Sequence, residues 1–200
     1  MRDFIAADKL ERGIRIWQER RWDADFHERV YRQYRDVKTI DIRVWKQVLD
    51  ELGAWRANHP LSLAELYERG RVHLPRVNHE YQALLAAHGQ RKPDLLEVEW
   101  TNLEPFFEAC REIKGVASPV FAAKMCHFLL PGCFFVIDNA VIGVNEPYCQ
   151  YWQRLRRAWQ DYPDKAGIIA HFRAEVALQD PDRYPFATKI MEICLMGASE

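Results

Sequence analysis

The sequence predicts an all-α protein, on three observations. Apolar residues recur at three- and four-residue intervals along most of the 200 residues, which is the period of an amphipathic helix. Few stretches alternate apolar and polar residues as a half-buried strand would. Ser, Thr or Asp stands where several of these stripes begin, and Gly or Pro where several end, as at helix caps. We therefore expect helices throughout, arranged as two helical lobes.

The first half of the chain predicts five helices, each from one apolar stripe. The stripes span residues 5–17, 26–34, 41–55, 62–67 and 81–85. Asp41 and Ser62 stand at the N-cap positions of the third and fourth helices, and Asp23 or Asp25 stands near the start of the second. The polar stretch GQRKPDLL follows the fifth helix. We expect the lobe boundary there, between residues 1–92 and residues 93–200.

The second half predicts a series of shorter helices. The sequence TNLE at 101–104 has the pattern of a capping box, so a helix is expected to start there and to stop at Gly115. Another is expected from Ser118 and Pro119, because serine is a favoured N-cap and proline is favoured at the first helical position. It ends before the Pro-Gly pair at 131–132. Further helices are predicted around residues 148–162, 163–178 and 186–196.

Composition excludes several classes of protein. The formal net charge is −1, so any nucleic-acid contact must come from a local surface rather than from overall charge. We expect no secretory signal, because the first residues are charged and amphipathic, and no segment approaches the roughly 20 apolar residues of a membrane span. Five cysteines without a CxxC pair argue against disulfides, structural zinc and iron–sulfur clusters, and favour a reducing cytoplasm. We expect no metal and no cofactor.

The segment from Gly115 to Val141 carries the chemistry. The segment has a helix–hairpin–helix pattern: a predicted helix is followed by Gly115-Val116-Ala117, and Ser118-Pro119 then begins a second helix. Such a hairpin presents backbone N–H groups beside a helix N-terminus, where they bind a phosphate without side-chain charge.

This segment resembles the helix–hairpin–helix DNA glycosylase superfamily, most closely its 8-oxoguanine-glycosylase-like branch. In that family a Gly-Val-Gly hairpin is followed by a helix, an apolar connector and an aspartate in a V-D-x-x-V context. The corresponding pieces here are the hairpin at 115–117, the helix at 118–130, the connector at 131–137, and IDNAV with Asp138. The residues HFLLP before the connector also resemble a shorter bacterial sequence pattern, in which H-F-L-x-P precedes the aspartate. The resemblance covers residues 103–142, and it implies two helical lobes with a cleft between them.

The departures from the family pattern are informative. Ala117 replaces the second hairpin glycine, and Pro119 aligns with the position where bifunctional members place a nucleophilic lysine. Proline offers no amine for a Schiff base. Lys124 lies five residues further on, roughly a turn and a half of helix, so it is expected to face elsewhere. The resemblance therefore implies a monofunctional enzyme that leaves an abasic site.

Asp138 is the implied catalytic residue. Cleavage of an N-glycosidic bond builds positive charge on the sugar, and a fixed carboxylate can stabilise that charge and orient or deprotonate water. At a helix N-terminus the carboxylate is expected to stay ionised. The alternative is that Asp138 is only the N-cap of a short helix DNAVIG.

The remaining candidates each have a structural alternative. The implied DNA-contacting residues are Gly115, Val116, Ala117, Ser118, Lys124, Arg154 and Arg157. The three charged ones, with Arg156, could equally lie on ordinary solvated helix faces. Glu99, Trp100 and His127 are candidates for the base pocket. They could instead be a solvated acid, a core indole and a buried structural histidine.

Two main hypotheses of function follow. The first is a DNA glycosylase that flips and excises a damaged or modified base from double-stranded DNA, as a monomer, either in repair or against hypermodified phage DNA. The second is a DNA-binding module that kept the hairpin and lost catalysis, which Ala117 and Pro119 favour and Asp138 disfavours. A helical scaffold without DNA contact is a third, and it would leave the hairpin pattern a coincidence.

Overall fold

The computed structural model describes residues 5–19, 24–115, 119–137 and 146–198. The described residues form nine α-helices and two 3₁₀ turns and contain no strand, which confirms the all-α prediction. The helices are α1 Ala7–Glu19, α2 Ala24–Tyr34, α3 Ile42–Ala54, α4 Leu63–Ala87, α5 Trp100–Lys114, α6 Pro119–Leu129, α7 Tyr148–Asp161, α8 Lys165–Glu175 and α9 Phe186–Ala198. The turns are Leu95–Glu97 and Pro181–Arg183. No described helix is long and apolar enough to cross a membrane.

The chain divides into two compact units whose bounds differ from the predicted lobes. Unit 1 consists of Met1–Arg35 and Asp138–Glu200, and unit 2 consists of Asp36–Ile137. The predicted boundary between residues 92 and 93 therefore falls inside unit 2. Its polar loop joins α4 to α5, and these two helices pack against each other. A polar stretch between helices marks a turn here rather than a division.

Unit 1 is built around α9, against which α1, α7 and α8 pack. The stripe that predicts α1 is buried as expected, through Leu10, Ile14 and Trp17. The backbones of α1 and α9 approach closely because glycines face the contact. A Cβ on Gly13 would lie 1.9 Å from the carbonyl oxygen of Ile193, and a Cβ on Gly197 would lie 2.0 Å from that of Lys9.

Unit 2 begins with α3 and α4. Asp41 caps α3 as predicted, accepting a hydrogen bond from the backbone N–H of Val44 at 2.8 Å. The fourth and fifth predicted helices are wrong as separate elements, because α4 runs unbroken from Leu63 to Ala87 through Pro75. The polar middle of this stretch hides the stripe, but Leu74 and Val77 are buried and continue it.

The hairpin helices α5 and α6 complete unit 2 and pack against each other. The predicted capping box at 101–104 is wrong, since α5 begins at Trp100 and the backbone N–H of Glu99 donates to Asn102 Oδ1 at 3.2 Å. α5 ends at Gly115, and α6 starts at Pro119, both as predicted. Every residue from Phe121 to Leu130 is buried, so α6 is the central helix of this unit.

Candidate nucleic-acid interface

The junction between α5 and α6 depends on Gly115. Its φ is 66°, in the left-handed region that favours glycine, and its N–H donates to Glu112 O at 3.0 Å to close the helix. Arg69 of α4 reaches the same point, because its Nη1 donates to Lys114 O at 2.9 Å. A Cβ on residue 115 would lie 2.8 Å from that Nη1. Both backbone angle and space therefore require glycine here.

Two lysines tie the hairpin helices to the turn that follows α3. Lys114, the last residue of α5, donates from Nζ to Ala57 O at 2.9 Å. Lys124 of α6 donates to Trp55 O at 3.4 Å, and its Nζ lies 5.4 Å from the centre of the Trp55 indole. The side chains are 6% and 5% exposed. Burial lowers the pKa of Lys114, and the charge of Lys124 lowers that pKa further.

The burial of Lys124 corrects the surface role that the sequence suggested for it. α6 is covered on all sides, so a lysine on this helix lies inside whichever way it points. A phosphate contact would require its ammonium to leave Trp55 and reach solvent. Lys124 is better described as a positive charge beneath the hairpin than as a DNA-contacting side chain.

His127 lies fully buried at the other side of α6. Its Nδ1–H donates to the carbonyl of Phe134 at 2.7 Å, since a carbonyl can only accept. This bond holds the connector of residues 131–137 against α6. The geometry supports the structural alternative for His127 rather than a place in a base pocket.

Glu99 and Trp100 lie at the far end of α5 from the hairpin. Fourteen helical steps separate Trp100 from Lys114, which is about 21 Å along the axis. Trp100 is buried, donates from Nε1 to Glu104 Oε1 at 3.1 Å, and packs edge-on against Phe107. Glu99 is exposed. These contacts favour the core indole and the solvated acid over pocket residues at the hairpin.

The arginines of α7 belong to unit 1 and differ from one another. Arg154 donates from Nε to Glu146 Oε1 at 3.0 Å and lies over the Tyr151 ring. Arg156 lies over the ring of Trp152. Arg157 is exposed. The charge of Arg154 is thus balanced within unit 1, whereas Arg157 keeps its guanidinium at the surface.

The other predicted residues lie outside the described part of the chain. They are the hairpin residues Val116, Ala117 and Ser118 and the catalytic candidate Asp138. The connector that leads to Asp138 is described as far as Ile137, and residues 133–137 are all buried. Their apolar pattern therefore reflects burial within unit 2, directly before the chain enters unit 1.

Two contacts of charged side chains are not predicted from the sequence. The guanidinium of Arg69 bonds to the backbone carbonyl of Lys114 although 45 residues separate them, and no local pattern signals that contact. In unit 1 the buried pair Lys189 and Glu192 is joined by a bond of 2.7 Å, with Nδ1 of His27 at 3.5 Å from the ammonium. The signal for this pair is two opposite charges three residues apart in an otherwise apolar helix.

Comparison with known proteins adds no assignment. No protein-family model matches the chain, and neither does any curated protein or solved structure. Among the described residues, no three His, Cys, Asp or Glu side chains are grouped so that they could hold a metal ion.

Proposed function

We propose that the protein is a monofunctional DNA glycosylase of the helix–hairpin–helix type. The observation that carries this proposal is the junction of α5 and α6. A left-handed Gly115 ends one helix, Pro119 starts the next, and Arg69 and Lys114 bring positive charge to the same loop of a nearly neutral protein. A helix N-terminus with adjacent cations is suited to a backbone phosphate.

The proposed reaction is hydrolysis of an N-glycosidic bond. The bond between the sugar carbon and the base nitrogen breaks, and the oxygen of water bonds to the sugar carbon. The proton that this water loses passes through Asp138 and solvent to the leaving base. Asp138 supplies a carboxylate that stabilises the developing sugar cation and accepts a proton from the water. The target base must leave the stack to reach it.

Two features of α6 support the proposed absence of lyase chemistry. Pro119 has no amine at the first position of α6. The next lysine along the helix, Lys124, is buried and bonded to Trp55 O, so it is not placed to attack a sugar. A glycosylase with this helix releases a base and stops at the abasic site. A cytoplasmic location fits the five cysteines, none of which forms a disulfide in the part of the chain that the structure describes.

The second candidate is a DNA-binding module that lacks catalysis. Pro119 in place of the family's lysine favours it, because a helix starter is all that a binding hairpin needs at this position. The two candidates share the hairpin and differ only in the role of Asp138.

The decisive experiment uses a panel of duplexes, each with one oxidised, alkylated, deaminated or hypermodified base. Strand breaks are measured after alkali, which reveals abasic sites. Asp138→Asn should lower the excision rate at least ~100-fold, about 3 kcal/mol, because it removes the charge and keeps a side chain able to cap. Asp41→Asn makes the same change at a described N-cap and should leave the rate unchanged.

Two results would overturn the enzymatic assignment. Undiminished excision by folded Asp138→Asn would exclude the catalytic aspartate. Binding of duplex DNA without excision of any base in the panel would favour the binding module. Borohydride tests the monofunctional assignment, because it traps the imine of a lysine nucleophile. We expect no trapped adduct, and an adduct that is lost in Lys124→Ala would contradict that part.

A further inference from the structure

The turn after α3 has an unusual backbone. Arg56 has a φ of 51°, in the left-handed region that side chains other than glycine seldom adopt. The turn is nevertheless well bonded, since the N–H of Arg56 donates to Gly53 O and that of Ala57 to Leu52 O, both at 2.9 Å. Ala57 is buried and Arg56 is exposed. The side chain of Arg56 is therefore exposed to solvent, while its backbone has a conformation that glycine would adopt more easily.

The turn is fixed to the hairpin helices. The carbonyls on either side of Arg56, those of Trp55 and Ala57, accept hydrogen bonds from Lys124 and Lys114. Lys114 directly precedes Gly115. Arg56 therefore lies within the span of one lysine side chain from the hairpin, in the same compact unit.

Three cations besides Arg56 lie near this turn or at the end of α5. Burial and the nearby charge of Lys124 lower the pKa of Lys114, and Arg69 adds a third cation at the end of α5. Among the described residues, no ion pair or side-chain hydrogen bond involves the guanidinium of Arg56. Positive charge thus spreads from the hairpin to the turn. Such an arrangement suits a polyanion with several phosphates rather than a single anion.

We propose that the turn of residues 55–58 is a second DNA-contacting element, in which Arg56 contacts a backbone phosphate of the duplex that the hairpin binds. This inference rests on the proposed function, since it assumes that the hairpin binds DNA. It extends the interface from α5 and α6 to the loop between α3 and α4. The left-handed backbone of Arg56 is maintained because it directs the guanidinium to the phosphate.

The test measures binding of the full chain to a short fluorescein-labelled DNA duplex by fluorescence anisotropy over a series of salt concentrations. Arg56→Gly should weaken binding about tenfold and reduce the slope of log K against log salt by about one, because one phosphate contact is lost. Its thermal midpoint should stay the same or rise, because glycine accepts a φ of 51° without strain. Arg56→Lys should keep the salt slope.

The matched control is Arg43→Ala. Arg43 is also exposed but lies in the first turn of α3, about 18 Å along the helix from the turn, and its loss should leave affinity and slope unchanged. Gly115→Asp disables the hairpin both by its charge and by the strain of a side chain at a φ of 66°, so it should abolish binding if the hairpin holds a phosphate. Unchanged binding by Arg56→Gly beside a defective Gly115→Asp would overturn this inference alone. Failure of the wild-type chain to bind duplex DNA would overturn both the inference and the proposed function.

Weaker binding by Arg56→Gly accompanied by a lower thermal midpoint would also overturn the inference. It would mean that Arg56 supports the fold of the turn and affects DNA only indirectly. A gain or retention of stability together with a loss of affinity is the combination that only a contact with the ligand explains.

Discussion

Unit 1 and unit 2 both bury charged side chains, but they balance them differently. In unit 1, Lys189 and Glu192 are 3% and 4% exposed and form an ion pair beside His27. In unit 2, Lys114 and Lys124 are bonded to backbone carbonyls, which carry no net charge. The opposite charges of an ion pair largely cancel each other's field at a distance. A buried lysine held by a carbonyl has no counter-charge, so burial and the charge of a neighbouring lysine lower its pKa, as they do at Lys114.

The two units also differ in how their glycines permit close packing. In unit 1, the missing Cβ of Gly13 makes room for the backbone carbonyl of Ile193. In unit 2, the missing Cβ of Gly70 makes room for the indole of Trp45, with the nearest ring atom at 2.1 Å. A backbone group can move only with its helix, whereas a ring can tilt. Unit 1 should therefore tolerate added volume less well than unit 2.

The largest effect is expected from Glu192→Gln in unit 1. It removes the carboxylate and leaves the ammonium of Lys189 buried without compensation, which should lower the free energy of unfolding by about 3–5 kcal/mol. Urea unfolding followed by tryptophan fluorescence measures this. The exposed Glu175→Gln of α8 is the control and should change little.

Two further variants test whether the units differ in how they balance buried charge. Lys189→Met combined with Glu192→Leu removes both charges and should recover most of the loss. Lys114→Met in unit 2 removes a lysine that has no carboxylate to leave behind, so its cost should stay near 1 kcal/mol. If Glu192→Gln costs no more than Lys114→Met, the distinction between paired and carbonyl-bonded charges is wrong.

The next effect concerns the glycines. Gly13→Ala should destabilise the protein by about 3 kcal/mol, because α1 and α9 must separate. Gly70→Ala should lower the free energy of unfolding by about 2 kcal/mol, a smaller loss, because the Trp45 ring can shift. In both variants the higher helix propensity of alanine offsets part of the loss. Thermal unfolding of the two variants side by side tests the ranking. A wild-type midpoint for Gly13→Ala would contradict the close backbone contact.

Local sequence signals predict the fold well where a helix is set by its own residues. Asp41 predicts the start of α3, Gly115 the end of α5, and Pro119 the start of α6. Sequence signals fail for α4, because the polar residues between the two predicted stripes hide a helix that runs unbroken through Gly70 and Pro75. Gly70 is inside the helix because Trp45 needs the space, and no local pattern contains that information.

The candidate site is predicted from the sequence less well than the fold. Lys124 is predicted at the surface because lysine usually is, yet it is buried because every face of α6 is covered. Arg56 carries no sequence signal, since its left-handed backbone comes from the turn that the two buried lysines hold. Contacts between segments distant in the chain decide both, and periodicity does not report such contacts.

The smallest effect tests whether a third lysine of unit 2 behaves like the other two. Lys92 donates from Nζ to Leu129 O at 2.6 Å, while the ammonium of Lys38 bonds to the nearby carbonyl of Gln90. Burial lowers the pKa of Lys92 to about 7, and the charge of Lys38 lowers it further, against smaller opposing effects of Asp36 and Cys133. An unfolded lysine has a pKa of about 10.4.

The sign of the pH dependence follows from these two pKa values. Below pH 7 the lysine is charged in both states, so the folded state bears the full cost of burying the charge. Above pH 7 the unfolded state still binds the proton and the folded state does not, so stability rises, by at most about 1.4 kcal/mol per pH unit. The buried thiol of Cys133, whose pKa is raised, acts in the opposite direction above about pH 8.5. We therefore expect a rise of about 1 kcal/mol between pH 7 and 8.

Lys92→Met isolates this contribution. The variant removes the titrating amine and keeps an unbranched side chain, so its stability should exceed that of the wild type at pH 7, and its rise between pH 7 and 8 should be lost. Lys46→Met, at an exposed position of α3, should keep the wild-type slope. Urea melts at closely spaced pH values measure all three proteins. Parallel pH profiles for the wild type and Lys92→Met would mean that Lys92 stays charged in the folded state, and unit 2 would then hold at least one lysine whose positive charge is fully retained at neutral pH.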